Sequence, residues 1–304
     1  MEIYTTLAEG LRKRCPELEL REYEPMSRHT SFHIGGPARL MALPNSQKEA
    51  AAAVRAAAEL GITPFFLGNG SNLLVSDRGY EGFVVKTGGL DQVREVNHRL
   101  RAESGIPLSR LANAALGRGL TGLEFAHGIP GSLGGAVTMN AGAYGGEMVQ
   151  VLTAVTFLNS DGQVETLPVE DCHLTYRHSD FTDHPERLIL EAEFALTPGD
   201  AEEIRGKMEE LARRRKEKQP LEWPSAGSTF KRPQGHFAAA LIEGCGLKGR
   251  RVGDAQVSEK HAGFVINRGN ATCADVLALV EVVRETVPRE TGVTLEMEVR
   301  TLGL

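Results

Sequence analysis

The sequence lacks several features that would assign it quickly to a class. No apolar run approaches the roughly eighteen residues of a transmembrane helix, and the N-terminus lacks a charged segment followed by an apolar one. There is no Gly-Lys-Ser or Gly-Lys-Thr run, which excludes a P-loop. These absences lead us to expect a cytoplasmic protein without membrane insertion.

Cysteine is also scarce. The four cysteines are Cys15, Cys172, Cys245 and Cys273. They are far apart and form no CxxC pair, so we interpret them as reduced structural thiols in a reducing compartment. His29 and His33 lie four residues apart, but no third ligand is near them in the sequence, so no metal site is expected.

Basic residues are fewer than acidic ones. The 34 lysines and arginines against 40 acidic residues give a formal charge of -6 and a pI near 5.9, which argues against nucleic acid as the main partner. The 304 residues, 41% of them hydrophobic, suffice for two domains with ordinary cores.

What the sequence does contain is an uncharged glycine-rich stretch, residues 128–146, with seven glycines in nineteen residues. Its apolar residues, such as Leu133 and Val137, indicate a buried, ordered loop. A second glycine loop, residues 68–72, follows the apolar run 64–67. Each loop alone is explained as well by tight turns, but two in one domain could hold a diphosphate through their main-chain N–H groups.

The remaining pattern predicts an α+β fold with a mixed or antiparallel sheet. Ser46 with Glu49 marks a helix start, the strand 64–67 completes a small βαβ unit, and the turn 159–162 joins two strands as a hairpin. We place a domain boundary at Pro198-Gly199, ahead of a strongly charged helix. A final strand is predicted at residues 293–301.

Three further segments carry candidate chemistry. In the final strand, Glu298 and Arg300 lie on one face and are either solvated or directed into a cleft. In PSAGSTFKRP, residues 224–233, small neighbours would let a ligand approach Ser228, or the segment is an ordinary solvated loop. Arg177, in the segment 176–179, is either a surface residue or a cation that stabilises negative charge.

Together these segments resemble the UDP-N-acetylenolpyruvoylglucosamine reductase family, over nearly the whole chain and in family order. The matching motifs are HTSFHIGGPA, GNGSNLLVSD, GIPGSLGGAVTMNAGAYGG, YRHSDF, PSAGSTFKRP, KHAGFVIN and LEMEVR. The resemblance implies a two-part FAD-binding domain of the vanillyl-alcohol-oxidase type followed by a smaller α+β substrate-binding domain. The expected parts are 1–67, 68–199 and 200–304, with the last strand returning to the flavin site.

The resemblance also implies the chemistry. NADPH would reduce bound FAD, and the hydride would then pass to UDP-N-acetylglucosamine enolpyruvate to give UDP-N-acetylmuramate for peptidoglycan. Arg177 and Glu298 match the residues that stabilise the enolic intermediate, and Ser228 matches the proton donor. Because Pro37 follows Gly35-Gly36, where relatives carry a tethering His or Cys, we expect non-covalent FAD.

The remaining candidate residues follow from the same matches. The predicted FAD-binding residues are Gly68, Asn69, Gly70, Ser71, Asn72, Leu73, Pro130, Gly131, Ser132, Gly134, Gly135, Ala136, Asn140, Gly142, Arg215 and Arg300. The predicted substrate-binding residues are Tyr176, Lys231, Arg232, Lys260 and His261. The chain has no room after Arg177 for the family's inserted tyrosine loop, so it looks like the shorter form.

Two alternatives stay open on the sequence alone. One is an FAD-dependent oxidase of a hydroxy acid or alcohol, with oxygen as acceptor and the same fold. The other is a non-catalytic sugar-nucleotide binding protein that uses Lys231 and Arg232. Reduction of a bound flavin by NADPH separates both from the reductase.

Overall fold

The structure is a computed structural model that describes residues 2–96 and 99–304. Its α-helices are α1 Glu2–Arg14, α2 Gln47–Ala58, α3 Leu108–Leu116, α4 Leu133–Thr138, α5 Asp180–Asp183, α6 Ala201–Lys218, α7 Ala238–Gly244 and α8 Cys273–Thr291. Its first ten strands are β1 Glu19–Pro25, β2 Pro37–Leu43, β3 Phe65–Leu67, β4 Leu73–Val75, β5 Tyr80–Lys86, β6 Val93–Val96, β7 Arg99–Glu103, β8 Leu120–Thr121, β9 Gly142–Ala143 and β10 Gly146–Glu147. The other nine are β11 Leu152–Leu158, β12 Val164–Pro168, β13 Leu188–Phe194, β14 Thr197–Pro198, β15 Ser225–Ser228, β16 Arg251–Val252, β17 Ala255–Val257, β18 Phe264–Asn267 and β19 Arg300–Leu302.

The chain divides into two compact units, each made of three segments. Unit 1 comprises Met1–Tyr23, Arg39–Asn69 and Gly82–Arg214, and unit 2 comprises Glu24–Ala38, Gly70–Glu81 and Arg215–Leu304. The last division falls inside α6, whereas the composition of the sequence suggested Pro198-Gly199. The chain passes from one unit to the other several times, so a linear boundary does not describe it.

Unit 1 contains a sheet of order β1-β2-β5-β3, in which β3 runs parallel to β5. Helices α1 and α2 pack together and contribute Leu7, Leu11 and Ala53 to a core with Phe83. Ser46 begins α2 as predicted, since its side chain accepts the N–H of Glu49 at 3.2 Å. The predicted arrangement of strand, helix and strand is thus present, with β5 lying between β2 and β3.

A second sheet of unit 1 has the order β12-β11-β13-β7-β6, and all of its neighbouring strands are antiparallel. The predicted hairpin is its β11–β12 pair, in which Leu158 lies opposite Val164. Helices α3 and α4 share its core, with Leu111, Leu133 and Phe157 buried. This core holds the glycine-rich stretch in place.

Unit 2 is built on an antiparallel sheet of order β15-β18-β17-β16, with α7 and α8 contributing to its core. A separate parallel pair joins β4 to β19, and Arg300 lies opposite Leu73. The predicted strand over residues 293–301 was too long, because only Arg300–Leu302 forms a strand. The alternation was nevertheless real, since Leu295 and Val299 are buried and Glu296 is exposed.

The mixed helix and strand content agrees with the predicted α+β class. The segment that follows α1 forms the strand β1. Among residues 2–96 and 99–304, no helix combines the length and the apolar character needed to cross a membrane. The same residues contain no group of three or more side chains arranged to hold a metal ion.

Candidate active site

The two predicted glycine loops meet in unit 1 through Ser132. Its side-chain oxygen accepts the main-chain N–H of Asn69 at 3.3 Å, and the residue is only 2% exposed. A Cβ at Gly68 would overlap this same hydroxyl, which would then have to rotate away from the N–H of Asn69. The loops predicted to share a diphosphate are therefore joined at Asn69 and Ser132.

Three glycines of the 128–146 stretch, Gly134, Gly142 and Gly146, lie where a Cβ would come within 3.1 Å of a neighbour, and on Gly146 it would enter the ring of Phe125. In the whole stretch only Gly145 has a positive φ, of 89°. The N–H groups of Leu133 and Gly134 donate to the carbonyls of Ile106 and Ser104, at 3.0 and 2.7 Å. Those two amides are used within the protein, so they are not among the N–H groups that could bind a diphosphate.

Gly135, like Gly145, borders open space: apart from its own neighbouring backbone, no described atom lies within 4 Å of the position of its missing Cβ. It lies in α4, one turn from the contact between the loops. An open, uncharged surface beside a main-chain junction fits a flavin nucleotide, which needs room for a flat ring and close approach to the backbone. The residues present in unit 1 therefore fit FAD.

Arg177 lies in a tight turn of the same unit. Thr175 and His178 exchange main-chain hydrogen bonds of 3.0 and 3.3 Å across it. Arg177 has a φ of 57°, in the left-handed region that non-glycine residues rarely adopt, and its guanidinium stacks 4.9 Å from the ring of Tyr176. Such backbone strain clusters at functional sites, where the surrounding structure maintains it.

The second half of the GNGSN loop belongs to unit 2. Gly70 has a φ of 60°, and a Cβ there would overlap the carbonyl oxygen of His29. Asn72 then connects the loop to the C-terminal segment. Its carbonyl accepts the N–H of Arg300 at 3.1 Å, and its side-chain amide donates to the carbonyl of Glu298 at 3.2 Å.

Ser228 and Glu298 belong to neighbouring segments of unit 2. The N–H of Glu298 donates to the carbonyl of Thr229 at 2.8 Å, and Phe230 pairs with Met297 in an antiparallel bridge. Ser228 ends β15 and is exposed, while Glu298 is half-buried. The fold thus brings together two backbone segments separated by about seventy residues, with Glu298 beside Thr229, the residue next to Ser228, which sequence reasoning alone could not show.

Two arginines predicted to reach the flavin have partly buried positions in unit 2. Arg300 is half-buried, and burial lowers the pKa of its guanidinium below its ordinary value. Arg215 is half-buried in α6, with its Nε atom buried. Their contact with a flavin stays a prediction.

The predicted substrate-binding cations of PSAGSTFKRP are near each other in sequence but have different partners. Lys231 forms an ion pair with Glu296. The guanidinium of Arg232 lies 4.0 Å from the ring centre of Phe237, which is 61% exposed. Arg232 is therefore the better placed of the two to meet a ligand in solution.

Lys260 and His261 have structural partners in the same unit. Lys260 Nζ donates to the carbonyl of Lys216 at 2.7 Å, which stabilises the C-terminal end of α6. His261 Nδ1 accepts the N–H of Gly263 at 3.2 Å, and burial lowers the pKa of this imidazole. The structure thus explains both residues without a ligand, and their predicted contact with substrate stays a prediction.

Comparison with known proteins places this arrangement in a family. The model of an FAD-binding domain matches residues 38–168, and that of the C-terminal domain of UDP-N-acetylenolpyruvoylglucosamine reductase matches residues 219–302. The reductase of Clostridium novyi is 51% identical over 285 residues, which cover 94% of this chain and 92% of that protein. The reductase of Caldanaerobacter subterraneus subsp. tengcongensis is 48% identical, and the match covers 98% of each chain.

A solved structure supports the same assignment. The reductase of Thermus caldophilus is 35% identical and has a TM-score of 0.79, and the match covers 94% of this chain and 98% of that one. The fold is α+β, with an FAD-binding domain followed by the C-terminal domain of these reductases. The chain belongs to the UDP-N-acetylenolpyruvoylglucosamine reductase family.

Proposed function

We propose that this protein uses bound FAD and NADPH to reduce UDP-N-acetylglucosamine enolpyruvate to UDP-N-acetylmuramate. This reaction belongs to peptidoglycan precursor synthesis, and hence to cell wall biogenesis, cell shape and cell division. The FAD-binding domain match and the names of the relatives support the proposal. They do not favour an oxidase of the same fold, or a binding protein without catalysis.

The observation that carries the proposal is the pairing within unit 2. Asn72, in the predicted flavin loop, donates its side-chain amide to the carbonyl of Glu298, and the N–H of Glu298 donates to the carbonyl of Thr229 beside Ser228. These hydrogen bonds connect the predicted flavin loop to the backbone of Glu298 and to the residue next to Ser228.

FAD would be held by the residues at the junction of the glycine loops. Gly68, Asn69 and Ser132 form that junction in unit 1, and Gly135 leaves room beside it. Asn72 and Arg300, which are hydrogen-bonded to each other at 3.1 Å, are further candidates for binding FAD. Bound FAD would supply hydride transfer, from NADPH and then to C3 of the enolpyruvyl group.

Arg177 and Glu298 would stabilise the negative charge that hydride transfer creates on the substrate. Hydride addition at C3 leaves negative charge at C2, delocalised into the adjacent carboxylate of the substrate. The guanidinium of Arg177, held in its strained turn, would stabilise this charge. Glu298 would complete the hydrogen bonding of the enolic form, a role that requires its carboxyl to carry a proton when it donates.

Ser228 would deliver a proton to C2. It is exposed at the end of β15, as a group that must meet the substrate has to be. A serine hydroxyl is a weak acid, so its use depends on close placement and on neighbours that stabilise the alkoxide. A solvent proton would restore Ser228 after product release.

The sugar nucleotide itself would contact Tyr176, Lys231, Arg232, Lys260 and His261. Arg232 with the exposed ring of Phe237 is the best supported of these contacts, because both side chains face solvent. We further propose that the protein acts in the cytoplasm and uses no nucleic acid partner, as its acidic balance indicates.

The variant Ser228→Ala tests the proposal. We expect it to retain FAD and its rapid reduction by NADPH, because only the second half-reaction needs the proton. Turnover of the enolpyruvyl substrate should fall by several orders of magnitude, on the scale of lost general-acid catalysis, roughly 10²–10⁴-fold or more.

Ser225→Ala is the matched control, since Ser225 lies in the same strand β15 and its removal should leave both half-reactions near the parent rate. Stopped-flow absorbance of the flavin measures each half-reaction separately. Turnover of Ser228→Ala near the parent rate would show that Ser228 is not the acid.

A further inference from the structure

Asn140 lies two residues beyond the last residue of α4 and closes the C-terminal end of that helix. Its N–H donates to the carbonyl of Val137 at 3.1 Å, and the N–H of Ala141 donates to that of Ala136 at 2.8 Å. This is the Schellman pattern of a helix end, and Asn140 has the left-handed φ, of 40°, that the pattern requires. Glycine is the usual residue at this position, so the side chain of Asn140 requires a separate explanation.

The side-chain amide of Asn140 is hydrogen-bonded inside unit 1. Asn140 is 1% exposed, and its Oδ1 accepts the N–H of Val149 at 3.0 Å. Its Nδ2 donates to the carboxylate of Glu147 and to the carbonyl of Thr175, both at 3.2 Å. The two acceptors and one donor around it fix the orientation of the amide. Both amide hydrogens are therefore used within the protein, which leaves none to donate to a flavin.

The bond to Thr175 reaches the turn that carries Arg177. Thr175 is the first residue of that turn and also exchanges two hydrogen bonds with His178. On the other side of the turn, the hydroxyl of Ser179 donates to the carbonyl of Thr138, the last residue of α4, at 2.8 Å. The strained backbone of Arg177 is thus held between two attachments to the end of one helix.

We propose that Asn140 is a positioning residue for Arg177. Its amide holds the carbonyl of Thr175 and so maintains the left-handed conformation that directs the guanidinium. The inference rests on the proposed function, because it takes the stabilising role of Arg177 from there. It also replaces the expectation that the side chain of Asn140 binds the cofactor.

The test uses Asn140→Asp in the FAD-loaded enzyme. Aspartate keeps the size and the acceptor for Val149, but it replaces the donors to Glu147 and Thr175 with a second acceptor. FAD content and reduction by NADPH should stay within about twofold of the parent, while reoxidation by the enolpyruvyl substrate falls about 10–100-fold, the scale expected for a misplacement near 1 Å.

Asn159→Asp is the matched control. Asn159 also donates its amide to a glutamate, Glu165, and accepts two main-chain N–H groups, but it lies in the β11–β12 hairpin. We expect it to change neither half-reaction. Asn140→Gly is the second variant, since glycine keeps the helix end and removes only the amide, and we expect the same split between half-reactions.

Two further measurements separate positioning from a general structural effect. In an Arg177→Ala background, Asn140→Asp should cause less than about a threefold additional loss, because coupled residues are not additive. By hydrogen exchange, peptides covering residues 173–180 should exchange faster in Asn140→Asp, whereas those of the β11–β12 hairpin should not.

An equal fold-loss in both backgrounds would overturn the proposal, and so would loss of FAD from Asn140→Asp, which would return the residue to the cofactor set. If the parent enzyme itself does not turn over the substrate, the proposed function fails. The exchange experiment still decides whether Asn140 holds the turn.

Discussion

Gly135 shows how a single missing side chain can report on a ligand. Nothing else in the described protein lies within 4 Å of where its Cβ would be, so alanine fits the fold. Alanine also favours a helix over glycine by up to about 1 kcal/mol. We therefore expect Gly135→Ala to keep or raise the stability of the FAD-free protein but to weaken FAD binding at least tenfold.

Gly206→Ala is the control, because Gly206 is also helical, in α6, and also borders open space. It should gain the same stability without a change in FAD affinity. Urea unfolding of the FAD-free protein and a flavin fluorescence titration measure the two quantities. Equal FAD affinity in both variants would show that the cofactor does not approach Gly135.

Two buried thiols give the protein a predictable response to alkaline pH. Burial raises the pKa of both Cys172 and Cys273 to about 11, with Asp180 and Asp77 respectively adding to the effect. Between pH 9 and 11 the folded state keeps protons that the unfolded state loses. Their contribution to stability is thus complete below about pH 9 and falls as the pH rises toward about 11.

At pH 10 we expect the free energy of unfolding to be lower by about 1 kcal/mol per thiol than at pH 8. The comparison is between the parent and the double variant Cys172→Ala, Cys273→Ala, so that other titrating groups cancel. Urea unfolding at both pH values measures the free energy of unfolding of each protein. If the difference between parent and double variant is the same at pH 10 as at pH 8, the raised pKa values are contradicted.

At the level of single residues, the sequence indicated which positions matter better than it indicated why. Ser132 and Arg177 were named as candidates from the stretch and the turn, and the structure places Ser132 against the N–H of Asn69 and Arg177 against the ring of Tyr176. Asn140 was assigned to the cofactor, whereas its amide is used by Glu147, Val149 and Thr175. Such partners depend on tertiary contacts that no local pattern shows.

Helix α8 is the element whose start is best defined. Thr272 and Asp275 form a capping box, and Asp77, two residues after β4, accepts the N–H groups of Cys273 and Ala274 at 2.8 and 3.1 Å. Asp77 thereby connects the helix to the strand that follows the GNGSN loop. The carboxylate also complements the positive end of a helix of 19 residues.

We expect Asp77→Asn to lower the free energy of unfolding by about 1 kcal/mol, because the charge and one acceptor are lost at this helix end. Asp161→Asn, in the exposed β11–β12 turn, is the control and should change it by less than about 0.5 kcal/mol. Urea unfolding measures both. Equal stability of the two variants would mean that Asp77 does not support α8.

Elements whose ends are set by residues close in sequence could be predicted, whereas an element whose length depends on pairing with a strand far away in sequence could not. The start of α2 and the β11–β12 hairpin follow from residues close in sequence, Ser46 with Glu49 and the turn 159–162. The final strand is only three residues long because its partner β4 is equally short and lies more than two hundred residues away. The length of that partner cannot be derived from the alternation of residues 293–301.

For the whole molecule, the sequence predicted the class and the family but not the course of the chain. Each unit is assembled from three segments, and the short segments Glu24–Ala38 and Gly70–Glu81 belong with the C-terminal third. Four of the five crossings fall inside β1, β2, β5 and α6, so no loop-like composition marks them. The division of the GNGSN loop between the units, at Asn69 and Gly70, is likewise a product of tertiary structure.

The most direct test of the central claim, that the glycine loops bind a flavin that serves this reduction, is an anaerobic absorbance titration of the purified protein. We predict a yellow protein whose flavin absorbance is bleached by NADPH and restored by UDP-N-acetylglucosamine enolpyruvate, with one UDP-N-acetylmuramate formed for each flavin reoxidised. A colourless protein that cannot be reconstituted with FAD, or a flavin that an alcohol reduces and NADPH does not, would contradict the account.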